Sequence, residues 1–384
     1  MKTKNRPAYL PLNAPPIGKE EARAAYDSVM NGDLVGRGRI GLRLEERMAA
    51  DLGARDVQLT TSGTHALELA TAVLGLKAGD EVILPSYTFS SVANAILRQR
   101  ATPVFADVLP DTLNLDPRDA ARKVTRRTRA LVAVHYAGVA SDMPALGRLC
   151  REAGLALIED AAHSVGAYWR GRALGTIGDC GAYSFHATKN VTCGEGGAFI
   201  TSDAALARRG EMFREKGTNR SAFLRGEIKK YTWVSEGSSY VLSDVLAAVF
   251  EPQWKKRDAV AAARGKLYKL YIEGLKPLEA AGLLTLPRIP KDCRSSYHLF
   301  HALLPSRRLR DESIAALKER GIGAAFHYQP LHASPFGRRE LGNKQRLPVS
   351  ERAGDCLIRL PLHTNMTTSD VVRVVDGLST RLKR

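Results

Sequence analysis

Within FHATKNVTCGEGG, residues 185–197, Lys189 sits among hydroxyls, an amide and a run of glycines instead of on a charged helix face. A lysine used for solubility needs no such setting; one whose amine attacks a carbonyl needs a backbone that brings other groups close to it. Asp160 closes the apolar run LALIED. A carboxylate there needs a partner, either a protonated ring nitrogen or, as an N-cap, the backbone of the following AAHS. SGTHALELA places Gly63 and Thr64 where a strand turns into a helix, so that free N–H groups and a hydroxyl can meet a phosphate, although Ser-Gly-Thr is also a routine cap. Phe89, in PSYTFSS, either lies flat on an aromatic ring or belongs to the core. Cys193 has no evident partner for nucleophilic chemistry and reads as a small packing residue. GRGRIG at 36–41 has the letters of a dinucleotide fingerprint but follows a helical pattern and a turn, so it reads instead as a mobile glycine loop near a ligand.

The elements that must position these residues are short apolar, β-branched runs: VQLTTS (57–62), EVILP (81–85), TPVFADV (102–108), ALVAVHY (130–136), LALIED (155–160), GAYSF (181–185) and GAFITSD (197–203). Helical patterns separate several of them: THALELATAVLGL from Thr64, TFSSVANAILRQ from Thr88, MPALGRLCREAG from Met143 and DAALARRGEMFREKG from Asp203, a candidate N-cap. The alternation predicts an α/β fold with a mainly parallel sheet covered by helices, whose ligands bind outside the carboxyl ends of the strands. A long helical stretch begins at Ser243, with Pro252 as its expected kink. Beyond Pro287 loops mix with short strands and helices, ESIAALKERG and SDVVRVVDGLSTRLK among them. The predicted division is a large domain over 1–255 and a smaller C-terminal domain over 256–384.

The chain has 384 residues, 44% of them hydrophobic and 25% charged, which suits a globular protein of two domains. Its N-terminus has no continuous apolar segment and no run is long enough to span a bilayer, so a cytoplasmic protein without membrane contact is expected. Five scattered cysteines without C-x-x-C spacing suggest neither a disulfide framework nor a metal site. The net charge of +17 fits anionic ligands better than nucleic acid, because the basic residues are dispersed and no nucleic-acid-reading module is present.

A lysine, a carboxylate, a helix start and an aromatic are together the fittings of a pyridoxal 5′-phosphate site. SGTHAL, GDEVILPSYTFSSVANAI, DVLPDTLNLDP, EDAAHSVGA, SFHATKNVTCGEGG and PLH, in this order, resemble the DegT/DnrJ/EryC1/StrS sugar aminotransferases over nearly the whole chain. The resemblance implies the aspartate aminotransferase fold (fold type I), a seven-stranded, mainly parallel sheet with a small C-terminal α+β domain. It implies Lys189 as the lysine that condenses with the cofactor and moves protons, and Asp160 as the partner of its ring nitrogen. Ser184, Gly63 and Thr64 are implied as phosphate contacts and Phe89 as a stacking face. His163 stands where many members carry glutamine, over the other ring face or beside the phenolic oxygen. Ser239, in GSSY, stands where many members lend an asparagine to the phosphate of a partner subunit.

NAPPIG, HYAGVASDM, GRALGTIGD, REKGTNRSAFLRGEIKKYTWVSEGSSYVLSD and FHYQPLH resemble more narrowly the subgroup that aminates C4 of dTDP-4-keto-6-deoxyglucose. This implies a dTDP-sugar substrate, L-glutamate as amino donor and a homodimer with shared active sites. Tyr87, His135, Asn219, Arg220, His327 and His332 are the candidate substrate contacts, with the arginine-rich loops near residues 37 and 220 expected to grip the diphosphate. A 3-aminotransferase of the same family and a non-catalytic ligand sensor built on this fold are the alternatives. Dehydrating relatives carry histidine in place of the lysine, which Lys189 argues against.

Overall fold

The structure, a computed structural model, describes residues 9–383. Nine strands form in the first part of the chain: β1 (Asp56–Thr60), β2 (Glu81–Pro85), β3 (Thr102–Ala106), β4 (Thr128–Val134), β5 (Ala156–Asp160), β6 (Tyr168–Trp169), β7 (Arg172–Ala173), β8 (Cys180–Ser184) and β9 (Gly197–Thr201). Seven of them make one sheet in the order β3-β2-β4-β5-β8-β9-β1, parallel except for β9, which runs antiparallel to both neighbours. Each of these seven contains or overlaps one of the apolar runs read from the sequence.

Those runs are apolar throughout because both faces of the sheet are covered. On β4, Ala130, Val132 and Val134 face one core with the helices Gly63–Val73 and Ser90–Arg98, while Leu131 and Ala133 face another with the helix Met143–Ala153. Successive strand residues point to opposite faces, so each face receives every second side chain. Asp203 caps its helix as expected, accepting hydrogen bonds from the N–H groups of Ala205 and Leu206.

The reversed strand β9 matters for the site. Ser184 pairs with Gly197 across β8 and β9, so the intervening turn, which carries Lys189, hangs at the carboxyl end of β8, the same end of the sheet at which β5 delivers Asp160.

A smaller part follows. β10 (Cys293–Arg294) pairs with β6, and β11 (Phe300–Leu303) pairs antiparallel with β12 (Leu357–Leu360). A separate core forms around β11 and β12 from Leu267, Tyr271, Leu275, Leu317, Val374 and their neighbours. The helix Asp244–Ala280 belongs to both cores: Phe250 and Trp254 pack with the sheet, Tyr271 and Leu275 with the smaller part. It runs as one element with Pro252 and Pro277 inside it, so the proline expected to kink the helix does not divide it. Asp244 at its start also accepts hydrogen bonds from the N–H groups of Gly38, Ile40 and Gly41, satisfying the free donors at the start of the helix Arg39–Leu52. Among the described residues no helix is long and apolar enough to cross a membrane.

Candidate active site

The carboxyl ends of β1, β2, β4, β5 and β8 open onto a cavity of about 370 Å³. Lys189, Asp160, Gly63, Thr64, Ser184, Phe89, His163, His135 and His327 all lie on its wall, so nine residues named from the sequence are brought together.

The turn around Lys189 shows what its hydroxyls and amide are for. The Lys189 N–H donates to the His186 carbonyl at 2.8 Å, Thr192 Oγ1 donates to the Phe185 carbonyl, and Asn190 Nδ2 donates to the Ser296 carbonyl at 2.7 Å. Asn13 Nδ2 reaches in to donate to the Thr188 carbonyl. The lysine is thereby held at the cavity from both sides. Removal from water lowers the pKa of Lys189 to about 8, Asp160 acting against the shift and Arg359 adding to it. Roughly a tenth of the amine is therefore neutral and nucleophilic at pH 7, far more than for a lysine in water.

Asp160 has both local possibilities raised by the sequence. Its Oδ1 accepts a hydrogen bond from the Ala162 N–H at 3.1 Å, and among the described residues it makes no side-chain ion pair. Burial raises its pKa despite that bond and the nearby Lys189. A carboxylate held in this state is stabilised by a cation delivered to the cavity, which is what a protonated pyridine nitrogen is.

Ser62 begins the helix Gly63–Val73, its Oγ accepting from the His65 N–H at 3.1 Å, while Thr64 Oγ1 lies 2.7 Å from Ser91 Oγ. Ser184 closes against this helix start: a Cβ at Gly63 would fall 2.7 Å from Ser184 Cβ. A helix N-terminus with four hydroxyl side chains beside it on one wall has the donors to receive a phosphate. Phe89 is 57% exposed, so it is a wall of the cavity and not part of the core.

His163 stacks on His298 with ring centroids 4.1 Å apart, and its Nδ1 accepts from the Ala137 N–H. Nε2 therefore carries the proton. Burial, reinforced by Lys189, pushes the His163 pKa well below its ordinary value, leaving a neutral ring that can donate from Nε2. His327 meets the Tyr136 hydroxyl through Nδ1 at 2.7 Å.

The other sequence candidates lie off this wall. Tyr87 is buried and donates to the His327 carbonyl, so it supports a lining residue from behind. His332 is buried against Ser86 and Glu351. Asn219, Arg220 and Ser239 sit in the loops around residues 215–240, where Asn219 Oδ1 accepts from the Thr232 N–H and Ser239 bridges Glu215. The arginine loops differ from expectation as well. Arg37 is enclosed by Glu45, Glu211 and Glu215 within this chain, and Gly36, Gly38 and Gly41 allow close approach to Val241 and Asp244. Cys193 is buried and its thiol is raised to about 12, consistent with packing.

Sequence reasoning did not name Tyr328, His298 or Arg359, which also line the cavity. Arg359 had a signal: it is the one charged residue in the apolar run CLIRLPL.

This arrangement is that of fold-type I aminotransferases. The chain belongs to the DegT/DnrJ/EryC1/StrS aminotransferase family, which it matches over residues 16–379. It is 35% identical over 378 residues to the spore coat polysaccharide biosynthesis protein SpsC of Bacillus subtilis, covering 96% of each chain. Among solved structures it resembles the aminotransferase TlmJ from Streptoalloteichus hindustanus, at 32% identity and a TM-score of 0.90 with 98% of this chain and 99% of that one covered. It also resembles DesV of S. venezuelae, at 33% identity and a TM-score of 0.86 with 95% of each chain covered. The protein is a sugar aminotransferase, and its cofactor is pyridoxal 5′-phosphate.

Proposed function

We propose that the protein transfers the amino group of L-glutamate to C4 of dTDP-4-keto-6-deoxyglucose. It does so as a cytoplasmic homodimer with shared active sites, residues 1–255 serving as the cofactor-binding domain and 256–384 as the small domain. The observation that carries the transferase reading is the pairing, on one cavity wall, of a lysine whose amine burial has made nucleophilic with a buried carboxylate that lacks a cation. The C4 assignment is supported by the segments HYAGVASDM and FHYQPLH, which bring His135 and His327 to that wall.

Bound pyridoxal phosphate supplies an electron sink that acidifies the carbon bearing the amine. Lys189 would hold the cofactor's aldehyde, and its Nζ would accept the proton leaving Cα of the amino donor and return one to C4 of the sugar. Asp160 would keep the ring nitrogen protonated, and His163, with its proton on Nε2, would serve as a donor toward the ring. Gly63, Thr64 and Ser184 would hold the phosphate, and Phe89 would cover one ring face.

Exposed apolar side chains on two adjoining loops support the two-chain assembly. Val35 and Trp233 are 67% and 77% exposed, and Arg37, beside Val35, donates to Ser221 Oγ on the helix Arg220–Leu224. Apolar surface of this kind marks a protein interface. In that assembly Asn219, Arg220 and Ser239 reach the site of the partner.

The reading is tested by offering purified enzyme and glutamate the 4-keto sugar nucleotide, its 3-keto isomer and oxaloacetate together, and identifying aminated products by mass and NMR. The 4-keto sugar is expected to be preferred by kcat/KM. Preference for the 3-keto sugar makes the protein a 3-aminotransferase; no product from any of them overturns the C4 assignment.

A further inference from the structure

Five histidines stand on the cavity wall: His135, His163, His186, His298 and His327. His135, His163 and His186 each accept a backbone N–H at Nδ1, from Ser141, Ala137 and Thr188, and so carry their proton on Nε2. His298 is the reverse. Asn190 Nδ2 donates to the Ser296 carbonyl at 2.7 Å, which turns its Oδ1 toward His298 Nδ1, 3.0 Å away. The proton of His298 is therefore on Nδ1, and Nε2 keeps a free lone pair.

The ring is held in place. The His298 N–H donates to the Ala137 carbonyl at 3.2 Å, its carbonyl accepts from Arg264 Nη2, and the imidazole stacks on His163. His298 is only 6% exposed, yet among the described residues its Nε2 has no hydrogen-bond partner. That atom opens onto the cavity, in contrast to His301 Nδ1, which is sealed from solvent without a partner. The matching orphan is Lys189 Nζ, which among the described residues makes no hydrogen bond and no ion pair, although Asp160 faces it from β5. One wall thus holds a donor without an acceptor and an acceptor without a donor.

Resting on the function proposed above, we propose that His298 is a positioning residue for Lys189: whenever the amine is free of the cofactor, its Nζ–H donates to His298 Nε2. The bond restrains Nζ, at the end of a flexible stem, where it must take a proton from one carbon and give one to another. It also satisfies the ammonium that forms when the proton arrives, which burial otherwise disfavours. The proton leaving carbon becomes an N–H of Nζ, the electron pair of the broken C–H bond stays on the carbon skeleton, and His298 is neutral before and after. His298 does not take the proton itself, because burial, with His163 stacked on it and Lys189, Arg264 and Arg359 facing it, holds its pKa well below the ordinary histidine value. Asp160, the carboxylate facing Lys189, is reserved for the ring nitrogen in the same reading.

The test compares His298→Asn, whose amide nitrogen stands in for Nδ1 and puts nothing at Nε2, with His298→Gln, whose amide oxygen reaches the Nε2 position. In cofactor-free protein carrying carbon-13-labelled lysine, the Lys189 ε-carbon, assigned by its loss in Lys189→Met, is titrated by NMR. His298→Asn is expected to lower the Lys189 pKa by about one unit or more, since the acceptor it removes favours the charged form, and His298→Gln to restore most of that shift. In the holoenzyme, the single-turnover reaction with glutamate should slow by about tenfold or more in His298→Asn and recover in His298→Gln, with KM for the keto sugar unchanged. A Lys189 pKa unmoved by His298→Asn, or the same loss in both variants, reduces His298 to packing and overturns the inference. A raised KM for the keto sugar with the lysine pKa unmoved gives Nε2 to a sugar hydroxyl and overturns it too. Should neither variant fold, nitrogen-15 spectra of the histidines in wild-type, cofactor-free protein decide: an unprotonated His298 Nε2 that shifts as Lys189 titrates upholds the bond, and a protonated or indifferent Nε2 overturns it. Absence of any reaction between the wild type and amino donors removes the proposed function, while the titration, made without cofactor, still decides the bond.

Discussion

Nε2 of His135 lies 2.8 Å from Oε2 of Glu159, and both side chains are completely buried behind Asp160. His135 Nδ1 accepts from the Ser141 N–H, so Nε2 carries the proton and donates it to the carboxylate. Glu159 also accepts from the N–H groups of Gly175, Ile177 and Gly178, and the His135 N–H binds the Asp160 carbonyl. The pair therefore ties β4, β5 and the loop before β8 together beneath the site.

Glu159→Gln should destabilise the fold by about 3–5 kcal/mol, the usual cost of breaking a buried pair by changing one partner. Burial pushes the Glu159 pKa up, but His135 and the backbone donors outweigh it and hold the carboxyl below its ordinary value. Its stabilising contribution is thus present above the ordinary carboxylate pKa and is lost as pH falls through the lowered folded value. Denaturant melts at pH 7 and pH 4 should show the gap between wild type and variant narrowing at the acid end.

Lys189 carries the opposite kind of linkage. With its pKa lowered to about 8 by burial, the cofactor-free protein binds fewer protons than its unfolded chain between that value and the ordinary lysine pKa. Its stability should therefore rise with pH across that window. Lys189→Met should be more stable than wild type by roughly 2 kcal/mol at pH 7, allowing for the partial exposure of the amine to the cavity, and the difference should vanish above the ordinary lysine pKa. Paired thermal melts of cofactor-free protein at pH 7 and 10.5 measure this. Lys189→Ala should in addition lower turnover by at least ~10² to 10⁴, the range for losing a positioned proton carrier.

Asp160→Asn keeps the shape and the Ala162 hydrogen bond but removes the charge that favours a protonated ring nitrogen. Cofactor should still bind, while single-turnover deamination of the donor slows by about 100-fold or more. An unchanged single-turnover rate removes Asp160 from the chemistry.

Gly63→Ala should weaken cofactor binding more than folding. The added methyl would lie 2.7 Å from Ser184 Cβ, so the helix start and Ser184 must separate, at roughly 1–3 kcal/mol of local overpacking. Absorbance titration of the cofactor-free variant should give a dissociation constant raised about tenfold or more.

The strands were legible because a sheet covered on both faces leaves near-continuous apolar runs, as in EVILP and GAFITSD, that only their ends interrupt. The same logic made Asp160, Ser184 and Gly63 visible, since a polar residue or a glycine just after an apolar run stands out. Phe89 stayed ambiguous, because exposure is a property of what packs over it and nothing local encodes that. Arg359 was hidden by distance: β12 joins the cavity wall only through the packing of the second core. Arg37 looked like a free phosphate ligand because the carboxylates that neutralise it, Glu211 and Glu215, lie far along the chain.

The position of β1 at the sheet edge, paired with β9 and bridged at Thr60 to Val241, sets an order on synthesis. Asp56 finds its partner only when Thr201 has emerged, and the Leu59 carbonyl waits for Arg214, 155 residues downstream. At ribosomal speeds of roughly 5–20 residues per second, the first strand and the helix start at its end spend about 7–30 s without their neighbours. The lysine turn can close onto the sheet only once β9 has followed it out of the ribosome.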